Sequence, residues 1–162
     1  VGLDLGVRLA GFHGDAALTL GVGRVAPQAQ RLMEVTRDAL WKGIERVRLG
    51  HTLQDVARAI QQHVEENGFS VVREMVGHGI GRSLHEEPQV PNYYMVPDAK
   101  NPLLPLREGM TLAIEPMVNA GGTEIEVMPD MWTVVTKDRS LSAHFEHTVA
   151  VTRRGPAVLT LL

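Results

Sequence analysis

The chain has 162 residues, enough for one domain with its own core, and its 44% hydrophobic and 22% charged content is that of an ordinary globular protein. A net charge of −3 without basic runs gives no footprint for nucleic-acid binding, and no apolar stretch approaches the roughly 20 residues of a membrane span. The absence of cysteine excludes disulfides and thiolate metal ligands and fits a reducing, cytoplasmic compartment; no signal peptide is visible.

In chain order, residues 1–7 read as a strand weakened by Gly2 and Gly6, residues 7–11 as a turn, and residues 16–22 as the returning strand. Asp4 and Asp15 then face each other across a hairpin. Residues 26–47 predict a helix with Pro27 in its first turn and a buried stripe of Leu32, Val35, Ala39, Leu40, Ile44 and Val47. Trp41 lies off that stripe, and Gly43 weakens the middle. Thr52 is a natural N-cap for a second helix, with Asp55 at the capping-box position and Gly68 as the stop; Leu53, Val56, Ala57, Ile60 and Val64 form its buried face. Both helices read as scaffold, and His51 and His63 as surface or packing residues. From Ser70 onward the pattern is strand and loop. Pro88, Pro91, Pro97, Pro102 and Pro105 exclude a regular helix over residues 86–108, leaving a long loop that is either functional or a surface insertion. Residues 111–114, 124–128, 131–136, 145–152 and 157–161 complete an antiparallel set.

Five side chains at strand-like positions carry the chemistry: Asp4, Asp15, His78, Glu115 and Glu146. Oxygen ligands with one imidazole suit hard or borderline divalent ions. Two such ions carry about +4 and the four ionised carboxylates about −4, a balance that acidifies a water between them. An isolated acid is ordinarily a surface residue. Here the settings argue otherwise: Asp15 precedes an apolar run, His78 lies among Gly77, Gly79 and Gly81, Glu115 ends an apolar strand before Pro116, and Glu146 stands in a β-like run. The glycines are expected to let backbone approach a ligand closely. A charge in a buried strand needs a partner, and a metal is one.

The segments 11–15 (GFHGD), 77–81 (GHGIG), 85–88 (HEEP), 109–117 (GMTLAIEPM), 132–138 (WTVVTKD) and 140–148 (SLSAHFEHT) resemble type I methionine aminopeptidases, in order along nearly the whole chain. The resemblance implies an α+β pita-bread fold, a curved antiparallel sheet backed by helices, with residues 1–162 a single catalytic domain. It also implies that the family's first half, which carries a substrate-contacting His and much of the methionine pocket, precedes Val1, so that this chain is N-terminally truncated. It implies two divalent ions, drawn from Co, Mn, Fe, Zn and Ni, bridged by Asp15 and Glu146. Asp4 completes one coordination sphere, His78 and Glu115 the other, and Glu115 also relays a proton. His85 contacts the scissile peptide, Trp132 lines the substrate pocket, and a monovalent cation lies near Ser142. His13 carries no assigned role, and His147 packs behind the site. Two positions depart from the family pattern: Leu84 replaces an aromatic and His144 replaces a Gln.

The implied function is removal of N-terminal methionine from nascent proteins and peptides when the next residue is small, in the cytoplasm and near the ribosome. The implied partners are peptide N-termini, with no nucleic acid and no membrane. Two alternatives stand beside it: an inactive metal-binding fragment that needs a complementary first half, and an Xaa-Pro peptidase or creatinase-like hydrolase of the same fold.

Overall fold

The computed structural model describes residues 1–98 and 103–161. It opens with a hairpin of β1 (Gly2–Leu9) and β2 (Phe12–Thr19). Both strands reach closer to the turn than the sequence suggests, with β2 ending at Thr19 and not at residue 22, because Ala10 and Gly11 take φ of 49° and 85° and close a two-residue turn whose twist matches the strands. Gly2 and Gly6 are accommodated within β1. The register pairs Asp4 with Ala17 and Gly6 with Asp15. The two acids are therefore diagonal neighbours on one face, not directly opposite as expected.

Helix α1 (Pro27–Ile44) buries Leu32, Val35, Ala39, Leu40 and Ile44, and Val47 just beyond it is also fully buried. Helix α2 (Leu53–Glu66) starts with the expected capping box: the Thr52 hydroxyl accepts from the Asp55 N–H, and the Asp55 carboxylate accepts from Thr52 N–H at 2.8 Å. Gly43 is where the helices cross most closely. A Cβ there would meet Ile60 at 2.8 Å, so the residue that weakens α1 locally is what lets α2 pack. Each fully buried Leu, Ile or Val on these faces contributes roughly 1.5–3 kcal/mol.

The remaining strands are β3 (Ser70–Val71), β4 (Gly77–Gly79), β5 (Glu86–Val90), β6 (Thr111–Ile114), β7 (Met117–Asn119), β8 (Ile125–Val127), β9 (Val134–Thr136), β10 (Ser142–His144), β11 (Glu146–Thr152) and β12 (Gly155–Val158). A seven-stranded sheet runs β1-β2-β11-β6-β4-β5, with β12 beside β11; a second sheet runs β10-β7-β3, and β8 and β9 form an outlying hairpin. Every pairing is antiparallel. Pro116 separates β6 from β7 as the sequence predicts. The proline-rich segment differs from expectation, since its first five residues form edge strand β5 against β4. Pro102 lies outside the described residues. Leu112, Ile114, Val149 and Val151 face the helices and share one apolar core with them. His147 faces that way too, its ring 5.5 Å from that of Trp41 and its Nδ1 2.8 Å from Thr160 Oγ1.

Candidate metal centre

The opposite face of the sheet is where the acids meet. Directly paired residues on neighbouring strands project to the same face. Asp4 pairs with Ala17, and Ala17 pairs with Glu146, so these three form one row across β1, β2 and β11. Asp15 is two residues from Ala17 and shares its face. Thr148, two residues after Glu146, pairs with Ala113, which pairs with His78. The small residues Ala17 and Ala113 occupy the positions between the polar ones and leave space above them. One side-chain atom each from Asp15, His78 and Glu146 lies within 4.8 Å of the others. Glu115 joins from the end of β6, its Oε1 3.5 Å from His78 Nε2. Asp4 lies on the exposed strand β1, close enough to act electrostatically on Glu146.

Local bonds fix this arrangement. The Thr148 hydroxyl accepts from Asp15 N–H and donates to Asp15 C=O, both at 2.8 Å, clipping β2 to β11 beside the acids. His78 Nδ1 lies 2.8 Å from the Gly79 carbonyl. A carbonyl only accepts, so Nδ1 donates there and Nε2 is the nitrogen that faces Asp15 and Glu115. Asn92, fully buried, donates from Nδ2 to the Glu115 carbonyl at 3.1 Å. The glycines around His78 leave room for their neighbours. A Cβ at Gly77 would strike the Ala113 carbonyl, one at Gly79 the Glu87 carbonyl, and one at Gly81 would meet the Glu86 carboxylate at 3.1 Å. They admit neighbouring backbone and the Glu86 carboxylate, and Gly77 also lines the cleft described below.

The electrostatics are unbalanced. Burial is the largest cause of a Glu146 pKa pushed up to about 9, followed by the charges of Glu115, Asp15 and Asp4. Asp15 Oδ1 and Glu146 Oε1 are buried with no hydrogen-bond donor among the described residues. Buried acceptors without donors, crowded by like charges and set beside an imidazole nitrogen, suit divalent cations.

Beside this cluster a cleft of about 520 Å³ is lined by His78, His85, Glu87, Gln89 and Glu115. His85 packs edge-on against His78, ring centroids 4.3 Å apart, and so reaches the cleft without joining the acids. Trp132 is not brought there. It sits at the tip of the β8–β9 hairpin, 87% exposed, and is not among the residues that line the cleft. Ser142 lies in a separate cavity of about 420 Å³, its hydroxyl donating to the Val118 carbonyl. Leu84 leans over Gly6 of β1. His13 ties β2 to the glycine-rich loop through its N–H and the Gly81 carbonyl, 2.7 Å apart. His51 and His63 lie away from the cluster. The Thr148 clip carried no advance signal, and His144, noted only as standing where a Gln is usual, places its Nε2 3.6 Å from Glu115 Oε2.

Residues 1–153 match the sequence model of metallopeptidase family M24. The chain belongs to that family. It is 51% identical over its whole length to a methionine aminopeptidase of Clostridium perfringens, of which it covers 64%. It superposes on the crystal structure of methionine aminopeptidase from Rickettsia prowazekii with a TM-score of 0.93 at 45% identity, covering 99% of this chain and 63% of that one. Prolidase from Pyrococcus furiosus shares the fold, with a TM-score of 0.77 at 22% identity over 99% of this chain and 41% of that one. The M24 architecture is the expected pita-bread fold, a curled antiparallel sheet with two helices behind it. The chain spans less than two thirds of the length of these relatives. No described helix is long and apolar enough to cross a membrane.

Proposed function

We propose that residues 1–162 are a catalytic domain of a methionine aminopeptidase, a dinuclear metallo-exopeptidase that removes N-terminal methionine when the next residue is small. The observation that carries the reading is the uncompensated cluster: Asp15, His78 and Glu146 converge, with Asp4 and Glu115 beside them, in a chain that resembles methionine aminopeptidases at about half its positions. Asp4, Asp15, His78, Glu115 and Glu146 would hold two divalent ions, from Co, Mn, Fe, Zn or Ni. When bound, the ions supply the positive charge that offsets the carboxylates, polarises a peptide carbonyl and makes water more acidic.

The chain's own residues do the rest. Glu115, at the junction of cluster and cleft, takes a proton from the attacking water on a carboxylate oxygen and passes it to the leaving amine. His85, in the cleft wall 4.3 Å from His78, donates to the oxygen of the scissile carbonyl as charge develops there. A monovalent cation beside Ser142 completes the set. The substrates in this reading are peptide and nascent-chain N-termini in the cytoplasm, near the ribosome.

The test is release of methionine from a Met-Gly-x peptide by Mn²⁺-loaded protein. Glu115→Gln is expected to lose nearly all turnover while keeping its fold. His85→Ala is expected to slow turnover by roughly 10²–10³-fold, the usual worth of such a donor, with Mn²⁺ content unchanged. Wild-type rates in His85→Ala would remove it from the mechanism. A second reading, a metal-binding unit that turns over peptide only when joined to further chain, is favoured by the outer edge of the sheet, where Leu3, Leu5, Val7 and Leu9 are all exposed. Stoichiometric Mn²⁺ binding without turnover would select it.

A further inference from the structure

Glu115 stands between two imidazoles. His78 Nε2 is 3.5 Å from its Oε1, and His144 Nε2 is 3.6 Å from its Oε2. The two contacts are not equivalent. His78 Nδ1 is already engaged by the Gly79 carbonyl, and its Nε2 is shared between Glu115 Oε1 and Asp15 Oδ2. His144 Nε2 is buried and has no other hydrogen-bond partner among the described residues. A buried ring nitrogen without a partner is costly, and the acceptor facing it is Glu115 Oε2. Turning the carboxylate by about 0.6 Å would bring the pair to ordinary hydrogen-bond length.

The backbone of His144 is held for this purpose from another strand. The Thr19 hydroxyl accepts from His144 N–H and donates to His144 C=O, both at 2.9 Å. Thr19 ends β2, the strand that carries Asp15. One strand thus presents an acid to the cluster and also fixes the histidine that faces a second acid. The register places His144 opposite Met117, two residues beyond Glu115, which puts the ring within reach of the carboxylate.

We propose that His144 is a positioning residue for Glu115. It donates from Nε2–H to Oε2, and so aims Oε1 at His78 and the cation site. The inference rests on the metal-centre reading of Glu115. It assigns His144 no contact with metal or substrate.

The experiment is calorimetric titration of Mn²⁺ into the 162-residue protein, with thermal melts to confirm folding. His144→Leu is expected to weaken Mn²⁺ binding by about 10–100-fold, the usual effect of losing a residue that orients a ligand, whereas His144→Gln, whose amide reaches Oε2, restores most of it. His144→Asn, too short to reach, should bind as weakly as His144→Leu. In a Glu115→Gln background, His144→Leu should have little additional effect, because it acts through Glu115. Wild-type affinity in His144→Leu overturns the proposal and leaves the metal centre standing. So does a Gln variant as weak as the Leu variant, or an undiminished effect in the Glu115→Gln background. Absence of Mn²⁺ binding by the wild type would overturn the metal centre, and this proposal with it.

Discussion

The metal cluster and the β8–β9 hairpin treat their acids in opposite ways. At the hairpin, Asp130 accepts from Trp132 N–H, Thr133 N–H and the Thr133 hydroxyl at 2.6–3.0 Å. Asp138, in the turn that follows, accepts from the N–H groups of Gly122 and Ser140. Hydrogen bonds, led by that from Ser140, lower the Asp138 pKa to about 2. In the metal cluster, Glu146 is buried beside three other acids, has an oxygen with no donor, and is pushed up to about 9. Both regions are acidic. A functional site is marked by acids that the fold declines to satisfy, not by acidity itself.

The strongest way to break this contrast is Glu146→Gln. Removing this buried carboxylate should cost Mn²⁺ affinity more than about a hundredfold, beyond the usual loss for an outer contact. The same change should raise the melting temperature of the metal-free protein at neutral pH, since an amide folds without taking up the proton that Glu146 must bind there. A metal-free Glu146→Gln protein that melts below wild type would show that Glu146 is already satisfied.

The pH dependence sharpens the contrast. Glu146 is raised from 4.5 in the unfolded chain to about 9 in the fold. Between those values the folded state holds a proton that the unfolded state has lost, so stability falls as pH rises. The Glu146 contribution is most favourable below about 4.5, and its penalty is complete above about 9. Metal-free protein should therefore show a melting temperature that declines from mildly acid to alkaline pH. Saturating Mn²⁺ should raise and flatten the profile, because it binds the folded state and favours the ionised acid. Identical profiles with and without EDTA would count against a formed site.

Local features of this structure were legible in the sequence, and long-range ones were not. The Thr52 capping box, the stripe of α1 and the halt at Pro116 depend on residues within a few positions of one another. Asp15, His78, Glu115 and Glu146 stood out because an acid or imidazole interrupted a strand pattern. The Thr148 clip joins residues 133 apart and the Thr19 clip residues 125 apart, and no local pattern announces either. The packing role of Gly77 and Gly79 was invisible for the same reason: the atoms that exclude a Cβ there belong to β6 and β5, whose approach no local signal reveals. Trp132 was assigned to the cleft by resemblance, yet its exposure in this structure depends on how the hairpin stands relative to the sheet.

The smallest effect belongs to the hairpin side. Asp138→Ala removes the acceptor for Gly122 and Ser140 N–H and loosens a turn in which Arg139 already holds φ 61°. Because the carboxylate is fully exposed, solvent replaces most of what is lost, and the melting temperature at neutral pH should fall only slightly. The sign of its pH dependence is opposite to that of Glu146. A depressed pKa contributes stability above the unfolded value near 3.8, and this is lost as pH falls toward 2, so the variant and wild type should converge in acid. Mn²⁺ affinity should not change, because Asp138 bonds only within its own turn and to Gly122. If Asp138→Ala weakened Mn²⁺ binding, the hairpin and the metal cluster would be one cooperative unit through β10, and the division drawn between them would fail.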